Sequence, residues 1–168
     1  HATATFNDKQ NHIKGGYYVI EIAKKLLKDK VNAKIIVAGS FVDGLNVPEN
    51  IILLGRLENQ QLLAQYYSMA NVTLLTSMKE TFSMIVAESL CCGTPIVGFE
   101  AGAPELIALD EYSTFVNYGD IETLYDALLK MLDSLMDSKV VSQAAYEKYS
   151  KKVMTENYIE LYNEINNK

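Results

Sequence analysis

Between Val72 and Val97 the chain reads strand, loop, helix, strand, and few folds accommodate that order. Val72 to Leu75 is a short aliphatic and β-branched run, and the polar residues Thr76 to Thr81 interrupt it. Ser83 stands where it can cap a helix that stops at Gly93, and Pro95 opens the next strand. The helix N-terminus then faces the loop that leaves the first strand. The same alternation recurs along the chain. Strands are expected at Thr3–Phe6, Ala33–Ala38, Ile51–Leu54, Pro95–Phe99 and Thr114–Asn117, and helices at Tyr17–Lys28, Asn59–Met69, Ile121 to about Met136, Ser138–Lys148 and Thr155–Asn166. Strands separated by helices imply an α/β fold: a Rossmann-like parallel sheet with helices on both faces. In such sheets ligands gather at the carboxyl ends of the strands.

The helix after Ser83 is apolar almost all round (Met84, Ile85, Val86, Ala87, Leu90, Cys91, Cys92), which predicts burial against the sheet. Glu88 is anomalous there. Three and four residues away stand Met84, Ile85, Cys91 and Cys92, so no neighbouring turn supplies a cation. An unpartnered buried carboxylate is costly, leaving a distant basic residue, water or a hydroxyl-bearing ligand to satisfy it. Glu80 lies in the loop at which the helix dipole points. Its carboxylate and the N–H groups of Phe82, Ser83 and Met84 can converge on one ligand carrying both hydroxyls and phosphate. Val86 occupies the position three after Ser83, so no capping-box carboxylate competes for those amides.

Composition narrows the function. The 168 residues carry a net charge of −6, with a sequence pI near 4.9, which argues against nucleic-acid binding. No apolar run is long enough to span a bilayer, and the start shows no signal-peptide pattern. Cys91 and Cys92 are adjacent within a helix, so they are expected to be small core residues of a reducing, cytoplasmic setting. His1 and His12 are the only histidines, and no metal site is expected.

The Glu80 to Glu88 spacing, the Gly93-Thr-Pro95 strand entry and the turn Gly102-Ala-Pro-Glu105 together resemble the E-x7-E signature of retaining glycosyltransferases of the GT-B fold, family four (group 1). The resemblance is to the C-terminal, nucleotide-sugar-binding half, and runs from about Lys14 to the end. It implies that Glu88 holds the ribose hydroxyls and that Glu80, the expected catalytic residue, either orients the donor sugar while the leaving phosphate helps deprotonate the acceptor or acts as a carboxylate nucleophile. Lys14-Gly15 resembles the family's Lys-Gly, whose lysine contacts the diphosphate. The Gly55-Arg56-Leu57 backbone would lie beside the base, and Thr81, Phe82, Ser83 and Met84 would receive the leaving phosphate. The family's phosphate-contacting arginine, about five residues before the lysine, is missing; either Lys9 substitutes for it from a longer loop or the diphosphate is held less tightly.

The wording around Glu80 and Glu88 is also similar to bacterial enzymes that assemble capsule or O-antigen units. The chain thus reads as one donor-binding domain over 1–168, the C-terminal half of a longer two-domain enzyme, its abrupt first strand marking a domain boundary. The implied activity is retaining transfer of a hexose from a nucleotide-diphosphate donor, UDP-linked by expectation, to a polysaccharide or lipid-linked acceptor. No cofactor or metal takes part. The missing N-terminal domain would carry the acceptor and bring the enzyme to the inner face of the plasma membrane, so this chain alone is expected to be inactive in transfer. A GT-B nucleotide-sugar epimerase and a non-catalytic nucleotide-binding module are the alternatives.

Overall fold

The computed structural model describes residues 1–134 and 136–166. The elements run β1 (Ala2–Phe6), α1 (Gly16–Lys28), β2 (Ile35–Phe41), β3 (Ile51–Gly55), α2 (Gln60–Met69), β4 (Thr73–Leu75), α3 (Met84–Cys91), β5 (Ile96–Phe99), α4 (Pro104–Ile107), β6 (Ser113–Val116), α5 (Ile121–Asp133), α6 (Ser138–Tyr149) and α7 (Lys151–Asn166). All described strand pairs are parallel, and helices make the crossovers except between β2 and β3, where the connection over 42–50 is a loop and not a helix. The sheet is not continuous, however. It forms two three-stranded pieces, β1-β2-β3 and β4-β5-β6, and the described ladder stops between β1 and β4. Side chains and loops join the two pieces: a His1 ring nitrogen lies 2.8 Å from the Leu74 carbonyl, and the Met78 amide donates to the Ile13 carbonyl at 2.8 Å.

Helices cover both faces. On one, α1 and α5 bury Val19, Ile22, Leu26, Leu124 and Leu128 against Phe6, Val37, Val97 and Phe99. On the other, α3 and α6 enclose Leu75, Val86, Leu90, Ile96, Val141 and Ala145. These stripes follow from helical periodicity, and burying each large aliphatic side chain contributes about 1.5–3 kcal/mol.

Some faces differ from expectation. In α2 helical spacing predicts Leu62, Leu63, Tyr66 and Met69 inward, but the buried residue is Tyr67, and Leu62 and Met69 face solvent. In α3, Val86, Ser89 and Leu90 are buried, but Met84 and Cys91 are exposed. That helix is therefore apolar in composition yet only half enclosed, and Cys91 is not a core residue. Asn59 and Asp120 cap α2 and α5 through their side chains, accepting from Gln61 and Leu62 and from Thr123 respectively.

Candidate functional site

The loops after β1, β4 and β5 are stitched together on the carboxyl rim. Gly15 adopts a left-handed φ of 64°, and a Cβ there would lie 1.9 Å from the Thr76 carbonyl oxygen, so only glycine lets α1 start against the end of β4. The Glu80 amide donates to the Ala101 carbonyl at 3.0 Å. Glu105 closes the last loop, accepting from the Ala101 and Gly102 amides at 3.0 and 2.7 Å. Partial burial opposes its ionisation, but the amides of Ala101, Glu105 and Gly102 hold its carboxyl below the ordinary range.

This stitching brings Lys14 to Glu80: Nζ donates to Oε1 at 2.7 Å, and both side chains are largely shielded. Beyond Glu80 the backbone N–H groups of Thr81, Phe82, Ser83, Met84 and Ile85 donate to no protein acceptor among the described residues. Five consecutive free donors at the positive end of a helix suit an anion. Ser83 occupies the N-cap position, but its side chain makes no cap hydrogen bond. Its φ is 68°, and its buried Oγ has no partner. Capping is thus positional only, which leaves the amides free.

Glu88 has a partner that sequence spacing could not show. The Tyr67 hydroxyl, on α2, donates to Glu88 Oε2 at 3.3 Å. Burial lifts the Glu88 carboxyl above its ordinary range, and the hydrogen bond from Tyr67 only partly offsets this. Burial, then the charge and hydrogen bond of Glu88, push the Tyr67 phenol strongly upward.

Two cavities meet at Lys14. One, of about 500 Å³, is lined by Lys14, Gly39, Ser40, Arg56, Leu57, Leu63, Tyr67, Ile85 and Glu88. The other, of about 710 Å³, is lined by Ile13, Lys14, Met78, Lys79, Glu80, Thr81, Glu100, Gly102 and Glu105. The structure therefore brings Lys14, Arg56, Leu57 and Glu88 to the first and Lys14, Glu80 and Thr81 to the second. Phe82 and Met84 are about half exposed, at 48% and 59%, and line neither cavity. Gly39, Ser40 and Tyr67 were not singled out from the sequence. The first two lie at the carboxyl end of β2, which runs to Phe41 rather than stopping at Ala38 as expected, and the carboxyl-end rule made them legible. A third cavity, of about 590 Å³, opens beside the amino-terminal ends of β2 and β4 among Val31, Ile35, Tyr66 and Val72, and holds none of Lys14, Glu80 and Glu88.

Among the described residues no three His, Cys, Asp or Glu side chains cluster as metal ligands, and no helix is long and apolar enough to cross a membrane. The Cys91 and Cys92 thiols are free, and burial, first of all, pushes both upward.

The chain is similar to several known proteins. N-acetyl-alpha-D-glucosaminyl L-malate synthase of Bacillus anthracis is 24% identical over 157 residues, covering 88% of this chain and 40% of that protein. Among solved structures, a TarM variant of S. aureus crystallised with fondaparinux, alpha-GlcNAc-glycerol and UDP superposes with a TM-score of 0.75 at 18% identity, covering 97% of this chain and 34% of that one. Anabaena HepE in complex with UDP superposes with a TM-score of 0.74 at 16% identity, over 97% of this chain and 48% of the other. The chain thus spans less than half the length of each, and the likeness to the two solved structures establishes the Rossmann-like, GT-B type of fold. The family of group 1 glycosyl transferases matches over residues 4–134, most of the chain, and the protein belongs to that family.

Proposed function

We propose that this chain is the donor-binding domain of a retaining glycosyltransferase that uses a nucleotide-diphosphate hexose. The observation that carries this reading is the convergence of Lys14, Glu80, Glu88 and five free backbone amides on one rim of a parallel sheet. The nucleoside would occupy the cavity of Arg56, Leu57 and Glu88. The diphosphate would lie against Lys14 and the amides of Thr81 to Met84. The sugar would occupy the Glu80 cavity, its hydroxyls donating to the carboxylate. No step needs a metal: the amides and Lys14 supply the positive potential for a leaving phosphate. Support for UDP as the nucleotide comes from HepE and TarM, both crystallised with it. An acceptor site on a preceding domain, a polysaccharide or lipid-linked acceptor, and a cytoplasmic setting at the inner membrane face complete the proposal.

The test is a thermal-shift screen of UDP-, GDP- and ADP-sugars, followed by calorimetry with the nucleotide selected. Lys14→Ala should weaken binding by roughly 1.5–3 kcal/mol, as for a lost charge-assisted hydrogen bond. Equal affinity in the variant removes Lys14 from the site, and no response to any nucleotide sugar defeats the reading.

A further inference from the structure

Tyr67 is 6% exposed, and its hydroxyl has one protein partner, Glu88 Oε2. Its backbone is pinned from below. Thr94 Oγ1 donates to the Tyr67 carbonyl at 2.5 Å, and the buried Ser89 Oγ lies 2.7 Å from Thr73 Oγ1 and 2.9 Å from the Thr94 carbonyl. This network ties the end of α2 to β4, α3 and the entry to β5, so the ring has a fixed origin. The phenol therefore reaches Glu88 from a rigid base. Glu88 Oε2 is engaged, whereas Oε1 accepts no hydrogen bond among the described residues. Both side chains line the same cavity of about 500 Å³.

We propose that Tyr67 is a positioning residue that fixes the Glu88 carboxylate so that its remaining lone pairs accept from both hydroxyls of a ribose, making the site selective for ribonucleotides over 2′-deoxyribonucleotides. The inference rests on the nucleotide-site reading above. A carboxylate on a helix turns freely about its last bond, and hydrogen bonds to it discriminate only if its oxygens are held in place. The Tyr67 to Glu88 distance of 3.3 Å exceeds the usual 2.7–2.8 Å for O–H···O, so the bond has room to tighten as a ligand settles. A 2′-deoxy ligand leaves one buried acceptor unpaired, the arrangement in which discrimination is largest. Without the phenol the carboxylate can rotate to water, and both ligands meet the same loosely oriented acceptor.

The test is calorimetric titration of the 168-residue chain with UDP and 2′-deoxy-UDP, and with ADP and 2′-deoxy-ADP, for wild type, Tyr67→Phe and Glu88→Gln. Wild type should prefer the ribonucleotide of at least one pair by roughly tenfold or more. Tyr67→Phe keeps the packed ring, so its melting temperature serves as the folding control. Its preference should fall to within about threefold, through weaker ribonucleotide binding with 2′-deoxy affinity nearly unchanged. Glu88→Gln should also lose preference, and adding Tyr67→Phe to it should change little. Equal loss of affinity for both members of a pair in Tyr67→Phe would make Tyr67 a packing residue and overturn the inference. So would an unchanged preference. A wild type that binds both members of each pair without preference also overturns the inference, whereas one that binds neither pair defeats instead the assignment of this cavity to a nucleotide.

Discussion

Ser83 sits in a backbone conformation that suits glycine better than serine, with φ 68° and a buried hydroxyl that has no partner. A left-handed residue with a Cβ costs about 1–2 kcal/mol, against which glycine loses some chain entropy on folding. Ser83→Gly should therefore stabilise the fold by about 0.5–1 kcal/mol, read as a higher urea midpoint with an unchanged slope. A lower midpoint would show that the hydroxyl is satisfied after all. Glu88 carries a second prediction at this scale. Burial raises its carboxyl in the folded state, so protonating it favours folding. Acidification from neutral pH through the raised value should add stability from this group, levelling off once the unfolded carboxyl protonates too, while Glu105, held low, works in the opposite sense nearer the ordinary range. Nucleotide affinity should move the other way over the Glu88 window, since the acceptor is being protonated. Glu88→Gln removes both trends and weakens binding about tenfold or more. Melting and titration across that window check this, and matching profiles in the two proteins would refute it.

At the scale of the elements, Gly15 is where α1, the Lys14 loop and β4 are forced together. Gly15→Ala would drive a Cβ into the Thr76 carbonyl and impose a left-handed φ on alanine. The expected cost is on the order of 2–4 kcal/mol, with weaker nucleotide binding because Lys14 shifts with the loop. Denaturant unfolding measures the first and calorimetry the second; a loss under about 0.5 kcal/mol would mean that the stitching is loose. Most of the elements were legible from the sequence because β2 to β5 contain short aliphatic runs and α2 and α5 open on recognisable caps, Asn59 and Asp120. The break between β1 and β4 was not, because periodicity reports which face is buried but not whether two neighbouring strands complete their ladder. Glu88 shows the same limit at the site. Its helical neighbours rightly offered no partner, but Tyr67 arrives from α2, twenty-one residues away, through packing that one-dimensional spacing does not encode. Lys14 and Glu80 were legible as rim residues following strands; their pairing with each other was not.

For the whole molecule, the proposed division of labour makes a plain demand: this chain should bind a donor and yet fail to transfer its sugar. Transfer requires an acceptor held against the anomeric carbon with water excluded, and this chain spans 40% of the Bacillus anthracis relative. An assay of this chain beside the longer protein, with the donor selected by the thermal-shift screen, should show transfer only by the latter. Comparable turnover by both would place the acceptor site within these residues. The ion pair at the centre of the rim couples the two halves of the proposed donor site. Lys14 borders both cavities, and its ammonium is already claimed by Glu80 at 2.7 Å. On the proposed reading an arriving diphosphate competes with Glu80 for the ammonium, while Glu80 Oε2, which Lys14 does not engage, is open to a sugar hydroxyl. As Lys14 leans towards phosphate, Oε1 is freed for a second hydroxyl, so a joined donor should bind more tightly than its separate halves would suggest.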